Sequence, residues 1–287
     1  MNKLIILIGM CILLLTGCTP TIVYVETTSE QPIQEPITQE EPYSNLDVYF
    51  IDVGQGDSEL ITYGDTEMLI DCGTAAQGDT VVDLLRSVGV TELDYLLITH
   101  PDADHIGGCY DVLTEIPTKL VIMNGNKADT NAYKNVMNII DKEITYIAEE
   151  GYTFDIGRAT MKVIQAEKDF ADQNQNSIVT KLVLNDFSVL FTGDCDRDCE
   201  KLLITKDFIS SDILKIPHHG SKYGTGIALL NKVNPSIAVI EVGKNNYGHP
   251  SWEVLDRLDQ EKITMYSTNN EGNVLIRYDG SNYVVNP

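Results

Sequence analysis

The sequence predicts one α/β domain of two sheets covered by helices, carried behind an N-terminal leader and a tether. Three observations predict it. From residue 46 to the C-terminus, short apolar strands alternate with helical stretches, the mixture that packs as layers of sheet and helix. No tandem repeat and no internal linker interrupts that stretch, so one domain accounts for it. At 287 residues, 43% of them hydrophobic, the chain is long enough to bury a large core.

Charge narrows the function classes. The chain carries 43 Asp and Glu against 20 Lys and Arg, a formal net charge of -23. The first 45 residues hold one Lys and five Glu, so the remaining 242 keep 38 acidic and 19 basic groups. Intrinsic disorder, collagen-like repeats and a multi-span membrane protein are excluded. So is a nucleic-acid grip made by overall charge, because the whole-chain field repels phosphate backbones. Any nucleic acid must be held locally.

Residues 1–18 read MNKLIILIGMCILLLTGC, one Lys followed by an apolar run over 4–15. The run is short for a membrane span and has the shape of a signal-peptide core. Leu15-Thr16-Gly17-Cys18 resembles a bacterial lipoprotein box, which implies cleavage before Cys18 and lipid on its sulfur. An uncleaved anchor or an ordinary secretory signal are the alternatives. A lipidated Cys18 would hold the protein at the cell surface, on the outer face of the cytoplasmic membrane. Residues 19–45 are rich in Thr, Gln, Glu and Pro and hold no Lys or Arg, a composition that cannot bury enough apolar surface to fold. They read as an acidic tether, with the domain at 46–287.

Strands are predicted at 47–53, 58–63 and 66–71, separated by GQGD and YGDT turns. A helix over 80–88 leads to an apolar strand at 95–99. Helix 108–113, strand 119–123 and helix 132–140 follow, then strands at 160–166, 178–184 and 188–192. The last third alternates again: strand 213–217, helix 227–230, strand 237–242 and helix 252–258. Closing strands are expected near 264–267, 273–278 and 283–285. Cys72, Cys109, Cys195 and Cys199 remain once Cys11 and Cys18 are assigned to the leader. They do not suggest a disulfide scaffold. Cys195 and Cys199 read as two partly buried thiols on one helix face, since no second Cys/His pair has finger-like spacing.

The strongest chemical signal is Thr99-His100-Pro101-Asp102-Ala103-Asp104-His105-Ile106-Gly107-Gly108, directly after an apolar strand. Extended geometry puts His100 and Asp102 on one side, and a helix start beyond could turn Asp104 and His105 back toward them. Imidazole and carboxylate are ligands of first-row divalent metals. A solvated Asp-rich turn is the plainer alternative, but two His and two Asp at this spacing argue against it. Asp194 in TGD, His218 and His219 in KIPHHGS, and His249 in YGHP also follow apolar runs, so all five His of the chain fall at strand exits.

These motifs, with FIDVGQGDS and LIDCG upstream, resemble the metallo-β-lactamase fold, and within it the extracytoplasmic hydrolase domain of ComEC-type competence proteins. The resemblance spans residues 46–278 in motif order. It implies an αββα sandwich with a two-metal site at one edge, where strand ends meet. His100 and Asp102 would hold one metal, Asp104, His105 and a His of the HHGS motif the other, and Asp194 would bridge them. Adjacent extended residues point opposite ways, which makes His219 the expected ligand and His218 a proton donor or phosphate contact. Asn174 and Ser177 match the subgroup's N-x-x-S pattern where the wider family has a further His. That substitution leaves one metal poor in nitrogen and makes manganese a rival to zinc.

The implied activity is phosphodiester cleavage by a metal-activated hydroxide, with Asp104 at the reacting centre. His218, Tyr247 or His249 would protonate the leaving group or stabilise charge. Asn174, Ser177, Ser221 and Lys222 are candidates for holding substrate, and Lys215, Lys222 and Lys244 for local positive charge. Asp52, Asp57 and Asp71 belong to the family motifs as loop braces or as direct participants. Competence and DNA uptake suggest single-stranded DNA as substrate. Cell-wall phosphodiesters such as choline phosphate are the alternative, and a non-catalytic binding lipoprotein is a third possibility. The membrane would be met through the lipid, and no obligate protein partner is inferred.

Overall fold

The computed structural model describes residues 45–287; the leader, Cys18 and all but the last residue of the tether lie outside them. The domain begins with three antiparallel strands, β1 (Leu46–Phe50), β2 (Glu59–Tyr63) and β3 (Thr66–Ile70). Side chains alternate across them: Leu46, Val48 and Phe50 enter the central core, while Tyr49 packs on the opposite face. Helix α1 (Gly78–Ser87) crosses back to β4 (Leu93–Ile98), parallel to β3. The short α2 (Ala103–Ile106) and α3 (Cys109–Glu115) lead into β5 (Thr118–Met123), and α4 (Asn131–Ile139) into the three-residue β6 (Thr145–Ile147).

The second sheet starts as an antiparallel run, β7 (Thr153–Ile156), β8 (Ala159–Gln165), β9 (Val179–Leu184) and β10 (Phe187–Phe191). It then turns parallel through α5 (Arg197–Leu203), β11 (Ile213–Lys215), α6 (Ile227–Val233), β12 (Ile237–Ile240), α7 (Trp252–Gln260) and β13 (Thr264–Ser267). After the one-turn α8 (Thr268–Glu271), β14 (Val274–Tyr278) and β15 (Tyr283–Asn286) return to the first sheet, with β14 against β1. The strand orders are β15-β14-β1-β2-β3-β4-β5-β6 and β13-β12-β11-β10-β9-β8-β7.

Three apolar layers hold the two sheets and their helices. Phe50, Ile61 and Leu97 of the first sheet meet Met161, Leu182 and Phe191 of the second. Val81, Leu85, Val112 and Val136 cover the outer face of the first sheet, and Leu203, Leu229, Val233 and Leu258 that of the second. This is the αββα sandwich expected from the motifs. Strands β6 and β7 were not expected; the three residues of β6 are half-exposed or exposed, and β7 alternates over only four.

The parallel runs matter for function. Strands β3 and β4 end at Asp71 and the His100–His105 loop, while β10, β11 and β12 end at Asp194, His218–His219 and the loop bearing His249. Parallel neighbours deliver their C-terminal ends to one edge, which is where open α/β sheets place ligands.

The expectation of free thiols is overturned. Cys72 is bonded to Cys109 and Cys195 to Cys199, with Cα–Cα distances of 5.2 and 5.3 Å. A sequence separation of 37 hides the first pair from spacing arguments, and in the second a pair four apart at the start of a helix closes on itself. Among the described residues no helix is long and apolar enough to cross a membrane.

Candidate metal centre

The floor of the site is a buried polar lattice. Asp71 follows β3 in a left-handed conformation, φ 51°, which turns its carboxylate under the neighbouring loop. It accepts from Thr99 N (2.8 Å) and Thr99 Oγ1 (2.6 Å), and its Oδ2 lies 2.8 Å from His105 Nδ1. Gly56, at φ 156°, lets the turn after β1 press on the α2 loop, since a Cβ there would meet the Asp104 carbonyl at 2.4 Å. Asp57, next in sequence, is ion-paired with the fully buried Lys215 and lies 3.2 Å from His219 Nδ1.

These contacts fix which nitrogen of each imidazole carries hydrogen. The Thr99 hydroxyl is committed to Asp71 and the Ser177 hydroxyl to Asn174 O (2.7 Å). His100 Nδ1, 3.1 and 3.3 Å from those oxygens, must therefore be the donor. His105 Nδ1 faces the Asp71 carboxylate, and His219 Nδ1 faces the Glu241 carbonyl at 2.9 Å. In all three rings Nε2 is left as a lone pair, buried and without a hydrogen-bond partner, as is Asp194 Oδ1. Buried polar atoms are normally satisfied, so four such orphans pointing together fit the donor set of a divalent cation.

The distances agree. Ligand atoms of His100, His105 and Asp194 lie within 4.8 Å of one another, and so do those of Asp104, His105 and His219. His105 Nε2 is 3.3 Å from Asp194 Oδ1, and His219 Nε2 is 3.4 Å from Asp104 Oδ2 and 3.7 Å from Asp194 Oδ2. The two groups share His105, with Asp194 reaching both sides. Asp102 stands further out, 3.8 Å from His100 Nε2, with its side chain 38% exposed. The charges of the cluster act strongly on one another. Burial opposes a charged His219, yet Asp194 and Asp57 outweigh it and push its pKa up to about 10. Burial and the neighbouring His105 hold His100 down at about 3.

His218 and His219 are not extended: both adopt left-handed conformations, φ 50° and 52°. The rings still diverge. His219 enters the cluster, while His218 stays at its mouth with Nδ1 2.9 Å from Asp196 Oδ2 and Nε2 3.7 Å from Asp194. Burial disfavours its charged form, but Asp194 and Asp196 raise its pKa overall. Asn174 Nδ2 lies 3.1 Å from His218 Nε2, placing Asn174 at the same mouth. The His249 ring is 5.4 Å from that of His218, and the ring of Tyr247, 76% exposed, lies tilted 5.8 Å from that of His249. Burial, then His218 and His219, lower the His249 pKa to about 4.

Other expectations change. Lys215 does not offer charge to a substrate, because it is buried against Asp57 and the Gly193 carbonyl. Ser177 is enclosed: its oxygen accepts from Asp194 N (3.1 Å) while donating to Asn174 O, so it braces two ligand loops rather than facing outward. Ser221 is buried and accepts from Tyr223 N at 3.4 Å, while Lys222 is exposed. Asp52 ties the turn after β1: its carboxylate accepts from Gly54 N at 3.1 Å and its N–H donates to Asn273 Oδ1 at 2.7 Å. Sequence reasoning missed Asp196 as the partner of His218, although the GDCDRDCE stretch contains it. It also missed the buried pair Glu59 and Glu241, and nothing in the residue pattern marks those two.

The profile of the Metallo-beta-lactamase superfamily matches residues 51–243. Among curated proteins, the chain is 31% identical over 259 residues to "ComE operon protein 3" of Bacillus subtilis (strain 168), covering 82% of this chain and 33% of that protein. It is 30% identical over 237 residues to "Competence protein ComA" of Neisseria gonorrhoeae, covering 80% and 32%. The chain thus spans about a third of the length of these relatives. Among solved structures, CmlA, a diiron β-hydroxylase from Streptomyces venezuelae, is similar in fold, with TM-score 0.50 and 14% identity over 83% of this chain and 55% of that one.

Proposed function

The chain belongs to the metallo-beta-lactamase superfamily, and from that premise we propose that it is a surface-anchored phosphodiesterase, a nuclease acting on single-stranded DNA outside the cell. Members of the superfamily are metal-dependent hydrolases, and the fold binds divalent metals, typically two. The observation that carries the proposal is the convergence of three Nε2 lone pairs on Asp194 and Asp104. His100, Asp102 and Asp194 would hold one cation, and Asp104, His105 and His219 the other, since the single free nitrogen of His105 serves one cation only. Bound there, the metals would supply Lewis-acid charge and a water acidic enough to act as nucleophile at neutral pH. With three Asp beside three His, the donor set suits manganese as well as zinc.

The chain's own groups do the remaining work. Asp71 and the Glu241 carbonyl hold His105 and His219 in the tautomer that directs Nε2 inward. Asp196 fixes the His218 ring so that Nε2 faces the centre, within reach of a departing ester oxygen. Asn174, His249 and Tyr247 line the mouth. The competence relatives support DNA as substrate. Two disulfides support a location outside the cytoplasm, since such bonds persist in oxidising compartments. The lipoprotein box at Cys18 would supply the anchor.

Incubation of single-stranded DNA and manganese with the purified chain and with Asp104→Asn tests this reading. Cleavage by the first and its loss in the second is expected; equal, undetectable cleavage by both removes the nuclease claim. The exposed Tyr247 ring could instead receive a quaternary ammonium group. Hydrolysis of choline-phosphate esters with DNA left intact would select that second reading.

A further inference from the structure

On the segments that directly follow Asp196 and His219, two exposed cations share one aromatic ring. The Arg197 guanidinium carbon lies 4.1 Å from the Tyr223 centroid and Lys222 Nζ lies 5.1 Å from it. Neither cation has a carboxylate within ion-pair distance among the described residues, although the chain carries more than twice as many acidic as basic groups. Gathering two like charges in an acidic protein is unfavourable unless an anion joins them.

The cluster is prepared rather than incidental. Arg197 takes a left-handed backbone, φ 47°, and its N–H donates to Tyr223 O at 3.4 Å. The loop carrying Lys222 and Tyr223 is braced from below: Arg257 donates to Gly224 O (2.9 Å) and Thr225 O (2.6 Å), and Gly226 N donates to Glu200 (2.8 Å). Arg197 directly follows Asp196, which holds His218, and Lys222 follows His219 by three residues. The two cations are thus tied through the chain to the groups flanking the reacting centre, and stacking on Tyr223 restrains the guanidinium before any ligand arrives.

We propose that Arg197, Lys222 and Tyr223 form a second phosphate subsite, which grips the phosphate next to the scissile one in a single-stranded polynucleotide. The proposal rests on the phosphodiesterase reading and narrows it to a polymeric substrate. Arg197 offers a forked pair of donors to phosphate oxygens, Lys222 a point charge, and Tyr223 the platform that aims them.

The test compares a fluorescent single-stranded oligonucleotide with a bis-aryl phosphodiester that carries one phosphate only. Full-length manganese-loaded chain, Arg197→Ala, Lys222→Ala and Arg197→Lys are assayed over a salt series. Arg197→Ala should raise KM for the oligonucleotide about tenfold and lower the salt slope by about 1, leaving kcat/KM on the small diester within about twofold. Arg197→Lys should restore the salt slope but not the full affinity. Unchanged oligonucleotide KM and slope in Arg197→Ala would overturn the subsite, as would an equal loss on both substrates. Should the wild-type chain cleave neither substrate, the phosphodiesterase reading fails separately. Fluorescence anisotropy of the uncleaved oligonucleotide then decides the subsite: weaker binding by Arg197→Ala sustains it and equal binding ends it.

Discussion

The floor and the rim of the centre are built on opposite terms. On the floor, Asp57, Asp71, Lys215 and His105 are wholly buried, Lys215 paired with Asp57 and His105 with Asp71. Burial works against the Asp57 charge, yet Lys215, His219 and His105 outweigh it and hold its carboxyl well below the usual range. On the rim, Tyr247 is 76% exposed, and Tyr223 is half-exposed beneath two cations that have no ion-pair partner among the described residues. The contrast separates what keeps the centre assembled from what meets a substrate. Changes to the floor should act on stability and metal affinity, and changes to the rim on KM alone.

The largest effect should follow Lys215→Met. It strands Asp57 as an uncompensated buried charge, a loss of about 3–5 kcal/mol, whereas Tyr247→Ala on the rim should stay within about 0.5 kcal/mol of wild type. Urea unfolding of both variants measures the difference; similar midpoints would break the comparison. Next, Asp71→Asn should keep the fold but weaken metal binding about 10–100-fold, because His105 loses the carboxylate that fixes its tautomer. Competition against a chromophoric chelator reads this directly, and unchanged affinity would mean Asp71 merely braces the loop.

A smaller effect sharpens the description of the floor. Glu59 and Glu241 place carboxylate oxygens within 4.8 Å of each other, and each keeps one oxygen without a partner. Burial, then the Asp57 charge, push the Glu241 pKa up to about 7, while burial and Glu241 raise that of Glu59 well above 4.5. The folded state therefore binds more protons than the unfolded one. The pair's contribution is fully present below about pH 4.5 and is lost as pH rises through about 7. In Glu59→Gln the amide supplies a permanent donor, so metal-free variant should lose less stability than metal-free wild type between pH 5 and pH 8. Parallel pH profiles for the two would show that no proton is shared.

Much of this architecture was legible in the residues, for identifiable reasons. The alternation in β1 to β5 and the apolar runs ending at Thr99, Thr192 and Val242 are local patterns, and the five His mark the strand exits that meet at the centre. What was hidden depends on contacts distant in sequence. Cys72 finds Cys109 only because α3 folds back over β3, and Lys215 looks like a surface cation until Asp57 arrives from 158 residues away. The left-handed turn at His218 and His219 could not follow from a pattern assuming extended chain, yet it sends the two rings to different tasks. Asp196 escaped notice because one carboxylate among several in GDCDRDCE carries no mark of which imidazole it will meet.

The central claim is that His100, His105, Asp104, Asp194 and His219 surround a pair of divalent cations. The most direct test is metal content by mass spectrometry after equilibration with manganese or zinc and removal of loosely bound ions. The wild-type chain should retain two equivalents and Asp194→Asn one or none. A folded wild-type chain that retains no metal, or an Asp194→Asn variant that retains both, would contradict the account.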